Sequence, residues 1–170
     1  MNTKTNEILK TKFNIIILGE GNVGKTSIIA KLRGKKFEGQ TLATSGIDYF
    51  RDKITFDGVK YTFKIFDTAG QERFRTVVTS TIKQADGFII AFAVDDPQSF
   101  EQVKFWINAI EQETDLSKKP TILVGNKIDL KRMVSNEEGV QFCKELNIKY
   151  FETSARTGYN IKELFNVMNR

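Results

Sequence analysis

The chain has 170 residues, 40% of them hydrophobic and 28% charged, which is the composition of one globular domain. It contains no histidine, so Ser-His-Asp and Cys-His catalytic systems and histidine-bound zinc are excluded. The net charge of +5 comes from short, scattered basic clusters without the interleaved aromatic residues typical of nucleic-acid binding, and no stretch is apolar enough to span a membrane.

The first third of the chain predicts a strand, a loop and a helix. Residues 1–11 are polar and are expected to form a flexible extension before a domain that covers 12–170. The continuous apolar run from Phe13 to Leu18 predicts a buried strand. A helix is predicted from Lys25 to Arg33, with Gly34 at the position where a helix stops.

The remaining chain continues to alternate strands with helices. Two extended segments between 47 and 66 flank Asp57-Gly58, a pair typical of hairpin turns. Further predicted elements are strands at 88–94, 121–124 and 149–151, a helix capped by Asp96 with Pro97 at its first position, and helices at 136–146 and from 160 onward. This order predicts an α/β fold of the phosphate-loop NTPase type, with a doubly wound, mostly parallel six-stranded sheet, one antiparallel strand and helices on both faces.

The single cysteine, Cys143, excludes an intrachain disulfide and favours a reducing compartment. Cys143 lies three residues after Val140 and three before Leu146 in the predicted helix at 136–146. This spacing favours a buried helix face over a reactive thiol.

The segment GEGNVGKT at residues 19–26 matches the phosphate-loop pattern between a predicted strand and a predicted helix. Its glycines allow backbone N–H groups to curl around phosphate oxygens, and the helix N-terminus adds positive potential. Lys25 can reach the terminal phosphates, and the hydroxyl of Thr26 can bind Mg²⁺. The predicted phosphate-binding residues are Gly19, Gly21, Asn22, Val23, Gly24, Lys25, Thr26 and Ser27.

The segment DTAGQ at residues 67–71 directly follows the second strand of the predicted hairpin. The carboxylate of Asp67 can join the shell of a magnesium ion, and the N–H of Gly70 can approach a terminal phosphate. The amide of Gln71 can orient an attacking water.

The segment NKID at residues 126–129 follows another buried strand. Guanine presents a ring N–H and an amino group on one edge, and the carboxylate of Asp129 can accept both, whereas adenine lacks this donor pair. A site built for two such bonds rejects a base that leaves the carboxylate unpaired. In ETSAR at 152–156, backbone N–H groups could meet the guanine carbonyl. The predicted base-binding residues are Asn126, Asp129, Ser154, Ala155 and Arg156.

Together the four motifs resemble the Ras superfamily of small GTPases over essentially the whole chain, and the sequence is most similar to the Rab branch. The resemblance implies a switch that binds GTP or GDP with Mg²⁺, hydrolyses GTP slowly and regulates vesicle trafficking. It also implies that Phe37 packs on the guanine, that Lys127 lies beside it, and that Thr44 reaches Mg²⁺ when the γ-phosphate is present. The implied catalytic residues are Gln71 and Lys25, and the implied magnesium ligands are Thr26, Thr44 and Asp67.

The same resemblance implies effector, exchange-factor and activating proteins as partners. They would contact two segments, from Gln40 to Tyr49 and from Gly70 to Lys83, whose order depends on the γ-phosphate. Thr41 and Ser45 depart from the family pattern in the first segment. A cytoplasmic monomer is expected, peripheral on the cytosolic face of endomembranes, with a membrane contact only if a lipidated tail follows Arg170.

Two other interpretations stay open. A nucleotide-binding scaffold that never cycles is motivated by the changes at Thr41 and Ser45, and it would release no phosphate from GTP. The chain could also be one G-domain of a longer, atypical Rab-like protein, since it carries no prenylatable terminal cysteine. A phosphate-loop kinase is disfavoured because it has no use for the motif at 126–129.

Overall fold

A computed structural model describes residues 12–34, 50–56, 58–65 and 81–168. The strands are β1 (Lys12–Leu18), β2 (Phe50–Phe56), β3 (Val59–Ile65), β4 (Gly87–Ala93), β5 (Thr121–Asn126) and β6 (Lys149–Glu152). The helices are α1 (Lys25–Leu32), α2 (Pro97–Glu101), α3 (Val103–Glu111), α4 (Asn136–Leu146) and α5 (Ile161–Met168), with a 3₁₀ turn at Leu116–Lys118 and a helical turn at 81–84. Among these described residues, no helix combines the length and apolarity needed to cross a bilayer.

The strands form one sheet in the order β2-β3-β1-β4-β5-β6. β1 pairs in parallel with β3 and β4, and β5 pairs in parallel with β4 and β6, while β2 runs antiparallel to β3 through a hairpin whose Gly58 has a φ of 78°. The predicted mixed, mostly parallel six-stranded sheet is confirmed. Since parallel strands end at the same edge, the loops after β1, β4, β5 and β6 gather there.

The apolar run of β1 is explained by helices on both faces of the sheet. Ile15 and Ile17 pack in one cluster with residues of α1 and α5, whereas Ile16 and Leu18 pack in a second cluster with residues of α3 and α4. A strand covered on both sides has no polar face, so strict alternation is absent from its sequence. The prediction of helices on both faces is therefore also confirmed.

The helix after β4 begins as predicted but is divided in two. The carboxylate of Asp96 accepts hydrogen bonds from the backbone N–H groups of Gln98 (3.1 Å) and Ser99 (3.4 Å), which caps α2. The expected single helix is interrupted at Gln102, between α2 and α3. There the Gln102 carbonyl accepts from both the Phe105 N–H (3.0 Å) and the Trp106 N–H (3.4 Å), a shared bond that is common at a helix terminus.

The buried face of α4 differs from the one expected. Cys143 is buried and Leu146 half-buried, as predicted, but Val140 is 47% exposed. The buried line runs instead through Gly139 and Cys143, four residues apart, because the ring of Tyr150 lies against Gly139: a Cβ there would come within 2.3 Å of the Tyr150 Cζ. Val140 is rotated away from this contact line, toward solvent.

Candidate functional site

The loop between β1 and α1 has a backbone that only glycine tolerates at two positions. Gly19 has a φ of 149° and Gly24 a φ of 100°. A Cβ on Gly19 would lie 2.3 Å from the Ala91 carbonyl oxygen of β4, and a Cβ on Gly24 would lie 2.3 Å from Asn126 Nδ2. The loop is therefore pressed against the ends of β4 and β5, which fixes the start of α1 at the edge of the sheet.

Lys25 is folded back over this loop. Its side chain is 6% exposed, and Nζ donates to the carbonyl oxygens of Gly19 and Glu20, each at 2.7 Å. The adjacent Thr26 is exposed at the first turn of α1, while Ser27 is buried. A fixed ammonium group and an exposed hydroxyl thus stand together at a helix N-terminus, an arrangement suited to phosphate oxygens and a hard cation.

Asn126, the last residue of β5, connects this loop with the loop after β6. Its side chain is 1% exposed, and Nδ2 donates to the Val23 carbonyl at 2.9 Å. Its Oδ1 accepts from Thr153 Oγ1 at 2.9 Å and from the Ala155 N–H at 3.2 Å. Asn126 was predicted among the base-binding residues; in the structure its amide holds the phosphate loop, the end of β5 and the loop after β6 in one arrangement.

Asp129 lies on the loop after β5, where its carboxylate is exposed and oriented by a neighbour. Oδ1 of Asp129 accepts a hydrogen bond from Ser154 Oγ at 2.7 Å. The same loop turns sharply at Lys127, which has a φ of 65° and whose carbonyl accepts from the Leu130 N–H at 2.9 Å. The N–H of Ile128 donates to the Thr153 carbonyl at 3.3 Å, so backbone and side-chain bonds both join this loop to the one after β6.

The loop after β6 uses most of its polar groups internally. The N–H of Ser154 donates to the Tyr159 carbonyl (3.2 Å), and the Ser154 carbonyl accepts from the Gly158 N–H (2.8 Å). Ala155 is buried and gives its N–H to Asn126, while Arg156 is exposed. A carbonyl of a bound base would therefore compete with Asn126 for the N–H of Ala155.

Several predicted residues lie outside the described part of the chain. The structure brings together the phosphate-loop residues and those of the motifs at 126–129 and 152–156. It does not describe the first partner segment, from Gln40 to Tyr49, and of the segment from Gly70 to Lys83 it describes only 81–83. The predicted site residues outside the described ranges are Phe37, Thr44, Asp67, Gly70 and Gln71.

Sequence reasoning gave no side-chain role to Thr153, Arg132 or Glu152. Thr153 is fully buried and supports Asn126, although its place beside Ser154 in the motif offered a signal. Arg132 and Glu152 form a two-point ion pair between the loop after β5 and the end of β6. Arg132 lies in a loop whose sequence shows no recognisable motif, so nothing in the sequence indicated this ion pair.

Comparison with known proteins identifies the family. The Ras family model matches residues 14–170. The Ras-related protein Rab-13 of Canis lupus familiaris is 33% identical over 160 residues, which cover 93% of this chain and 78% of that protein. The chain is a Rab-like small GTPase of the Ras superfamily.

As a small GTPase, the chain binds guanine nucleotide, hydrolyses GTP and works as a switch with regulatory and effector proteins. The described geometry fits a nucleotide. The glycines at 19 and 24 allow the loop to pack closely against β4 and Asn126, the ammonium group of Lys25 is held over the loop by the Gly19 and Glu20 carbonyls, and the carboxylate of Asp129 lies on the loop after β5. The loops of the small GTPase thus collect at the carboxyl edge of its sheet, the place where this class of fold binds ligands.

Proposed function

We propose that the chain is a Mg²⁺-dependent GTP/GDP switch that hydrolyses GTP slowly and regulates vesicle trafficking from the cytosolic face of endomembranes. The observation that supports this most is the Asn126 amide, which joins the phosphate loop at Val23 to the base-side loop at Thr153 and Ala155. In the proposed site, this one buried side chain would set the distance between the phosphate end and the base end of the nucleotide.

At the phosphate end, Lys25 would bind and hold the terminal phosphates, and the N–H groups of residues 19–24 would surround their oxygens. Thr26, with Asp67 and Thr44, would hold the magnesium ion, which when bound supplies positive charge to the phosphate oxygens. Gln71 would orient the attacking water. The protein supplies positioning and charge stabilisation rather than a covalent intermediate.

A slow intrinsic rate is proposed because the sequence offers no assignable arginine to stabilise the developing phosphate charge, a role that an activating protein can fill in trans. Release of radiolabelled phosphate from bound GTP measures this rate. Single-turnover hydrolysis at tens per second by the protein alone contradicts slow hydrolysis. Binding without any release supports a non-cycling scaffold instead.

At the base end, Asp129 would accept the ring N–H and amino group of guanine. Replacing Asp129 with Asn exchanges one of the two acceptor oxygens for an N–H donor and keeps the other acceptor, so we expect binding to shift from GDP toward xanthosine diphosphate, whose edge offers a carbonyl in place of the amino group. Calorimetry on nucleotide-free protein measures both affinities. Equal uptake of ATP and GTP by the wild type, or an unchanged preference in Asp129→Asn, contradicts the proposed base recognition.

The segments from Gln40 to Tyr49 and from Gly70 to Lys83 are proposed to order with GTP and to present the surface for effectors and regulators. Hydrogen exchange compares the GDP complex with a complex of a non-hydrolysable GTP analogue. Slower exchange in both segments with the analogue is expected. Equal exchange in the two complexes contradicts the switch.

A further inference from the structure

An ion pair with two hydrogen bonds joins the loop after β5 to the end of β6. Arg132 Nη1 lies 2.8 Å from Glu152 Oε1, and Arg132 Nη2 lies 2.8 Å from Glu152 Oε2. Nη1 also donates to the Val134 carbonyl at 3.0 Å. The parallel, two-point contact fixes the direction of both side chains as well as their distance.

The position of the pair relates it to the base end of the site. Arg132 follows Asp129 by three residues, and Glu152 precedes Ser154 by two. Asp129 and Ser154 are themselves joined by a hydrogen bond of 2.7 Å. The ion pair therefore joins the loop after β5 to the end of β6, two residues before the contact that orients the proposed base-reading carboxylate.

Glu152 is held in place by further groups. Tyr150 Oη donates a hydrogen bond to Oε1 of Glu152 at 2.9 Å, in addition to the two bonds from Arg132. The ring of Tyr150 fits against two glycines, because a Cβ on Gly125 would lie 2.6 Å from its hydroxyl oxygen and one on Gly139 would lie 2.3 Å from its Cζ. The tyrosine that donates to the Glu152 carboxylate is therefore itself held in place by close packing.

The environment keeps Glu152 ionised. Burial alone would raise the pKa of its carboxyl group, but the hydrogen bonds from Arg132, Asn136 and Tyr150 outweigh burial and leave the pKa below its ordinary value. The hydrogen bond to Glu152 likewise raises the pKa of Arg132. Only 15% of the Glu152 side chain is exposed, so solvent screens this pair less than a surface pair.

Lys83 and Glu113 provide a contrast within the same molecule. They form an ion pair with a single contact of 3.6 Å, and the lysine side chain is 62% exposed. This pair lies away from the loops after β5 and β6, on the helical turn at 81–84 and the segment after α3. Glu113 itself lies outside the proposed partner segment that ends at Lys83, so Glu113→Gln is a control for the loss of an ion pair away from the loops after β5 and β6.

We propose that Arg132 and Glu152 are positioning residues that hold the Asp129 loop against the Ser154 loop and thereby set how long guanine nucleotide stays bound. The proposal rests on the proposed function, because it takes Asp129 to be the base-reading group. Loss of the pair lets the Asp129 loop move away from the base. The substitutions do not touch the phosphate end of the site, where Lys25 and Gln71 would act in the proposed function.

The test compares Glu152→Gln and Arg132→Met with the control Glu113→Gln. Release of a fluorescent GDP is measured with Mg²⁺ present, and hydrolysis of bound GTP is measured in a single turnover. We expect release to become at least about tenfold faster in both variants of the pair, since each loses a charge-assisted contact. Hydrolysis of bound GTP should stay within about twofold of the wild type, and Glu113→Gln should match the wild type in both measurements.

Affinity for GDP relative to inosine diphosphate separates positioning from general loosening. Inosine lacks the exocyclic amino group, so it can give Asp129 only one of the two bonds. A mispositioned Asp129 reduces the GDP preference, whereas a protein that is merely less stable binds both nucleotides more weakly by the same factor. A reduced preference in Glu152→Gln and Arg132→Met supports the proposal, and an equal loss of both affinities overturns it.

The Tyr150→Phe variant and the base preference of the wild type separate failure of this proposal from misfolding and from failure of the proposed function. Tyr150→Phe removes one hydrogen bond to Glu152 and retains the ring, so it should change release in the same direction by a smaller factor even if the charge variants fold poorly. Wild-type release and wild-type GDP preference in all variants of the network overturn the proposal. A wild type that binds adenine and guanine nucleotides equally contradicts the proposed function instead, so the two failures are distinguishable.

Discussion

Gly24 and Asn126 are so closely packed that a Cβ on the glycine would lie 2.3 Å from the Nδ2 atom of the asparagine. The glycine is the N-cap residue directly before α1, and the asparagine ends β5. This contact has no room for even one methyl group, because the Asn126 amide is itself fixed by three hydrogen bonds. The phosphate loop is therefore positioned together with the end of β5 and the loop after β6.

Replacing Gly24 with alanine should destabilise the protein through both backbone strain and collision with Asn126. We expect the free energy of unfolding to fall by about 3 kcal/mol, measured by urea denaturation. Gly34→Ala is the matched control, because Gly34 also has a positive φ, 83°, but nothing lies within 4 Å of its Cβ position. That variant should lose only about 1 kcal/mol. Equal losses would show that collision with Asn126 is unimportant.

Replacing Asn126 with alanine should separate the loops that it joins. Three buried hydrogen bonds are lost, and their partners at Val23, Thr153 and Ala155 are left unsatisfied. We expect unfolding free energy to fall by about 3 kcal/mol and GDP release to accelerate on the order of 100-fold. Thr153→Val removes one of these bonds and should cost about 1 kcal/mol. If both variants lose the same amount, Asn126 has no bridging role beyond its bond to Thr153.

Cys143 should react slowly with alkylating reagents in the folded protein. It is buried, and burial raises the pKa of its thiol to about 12. At pH 8 the thiolate fraction is then about 10⁻⁴, so alkylation by iodoacetamide should be on the order of 10³-fold slower than in urea-unfolded protein. Because this is the single cysteine of the chain, mass spectrometry of the intact protein follows it directly. Equal rates in the folded and unfolded protein would contradict the buried position.

The contribution of Glu152 to stability should disappear in acid. Burial alone raises the pKa of its carboxyl group, but hydrogen bonds from Arg132, Asn136 and Tyr150 bring the folded-state pKa below the ordinary value of 4.5. Since the lowered pKa belongs to the folded state, the stabilisation is complete above the ordinary pKa and is lost as the pH falls through the folded-state pKa.

Urea unfolding of the wild type and Glu152→Gln between pH 7 and pH 3 measures this effect. The wild type should be the more stable protein at pH 7, and the difference should shrink below about pH 4.5. Glu113→Gln serves as the control, because the single 3.6 Å contact of Glu113 with a Lys83 side chain that is 62% exposed should give little difference at any pH. If the difference in unfolding free energy between the wild type and Glu152→Gln does not change with pH, the lowered pKa of Glu152 is contradicted.

Much of the fold could be predicted because the signals were local. The apolar run from Phe13 to Leu18, the turn at Asp57-Gly58 and the Asp96 cap each depend on residues that are near one another in the sequence. The place of the phosphate loop between β1 and α1 followed from the same local pattern. Local patterns also predicted a buried Cys143 correctly, although they placed Val140 on the wrong side of α4.

The contacts that organise the site could not be predicted in this way. Asn126 and Val23 are 103 residues apart in the sequence, and they meet because β1, β4 and β5 are neighbours in the sheet. Arg132 and Glu152 are 20 residues apart and meet because β5 and β6 are neighbours. Val140 was misplaced because the packing of Tyr150 on Gly139 sets the orientation of α4, and a period of three residues carries no information about that ring.

β6 ends the sheet on one side and is only four residues long. An outer strand presents backbone N–H and C=O groups to which another polypeptide can add, and a long, flat one promotes aggregation. Four residues offer few such groups, and the exposed Lys149 places a charge at the start of the strand. We therefore expect that copies of the domain do not self-associate through this edge of the sheet at high protein concentration.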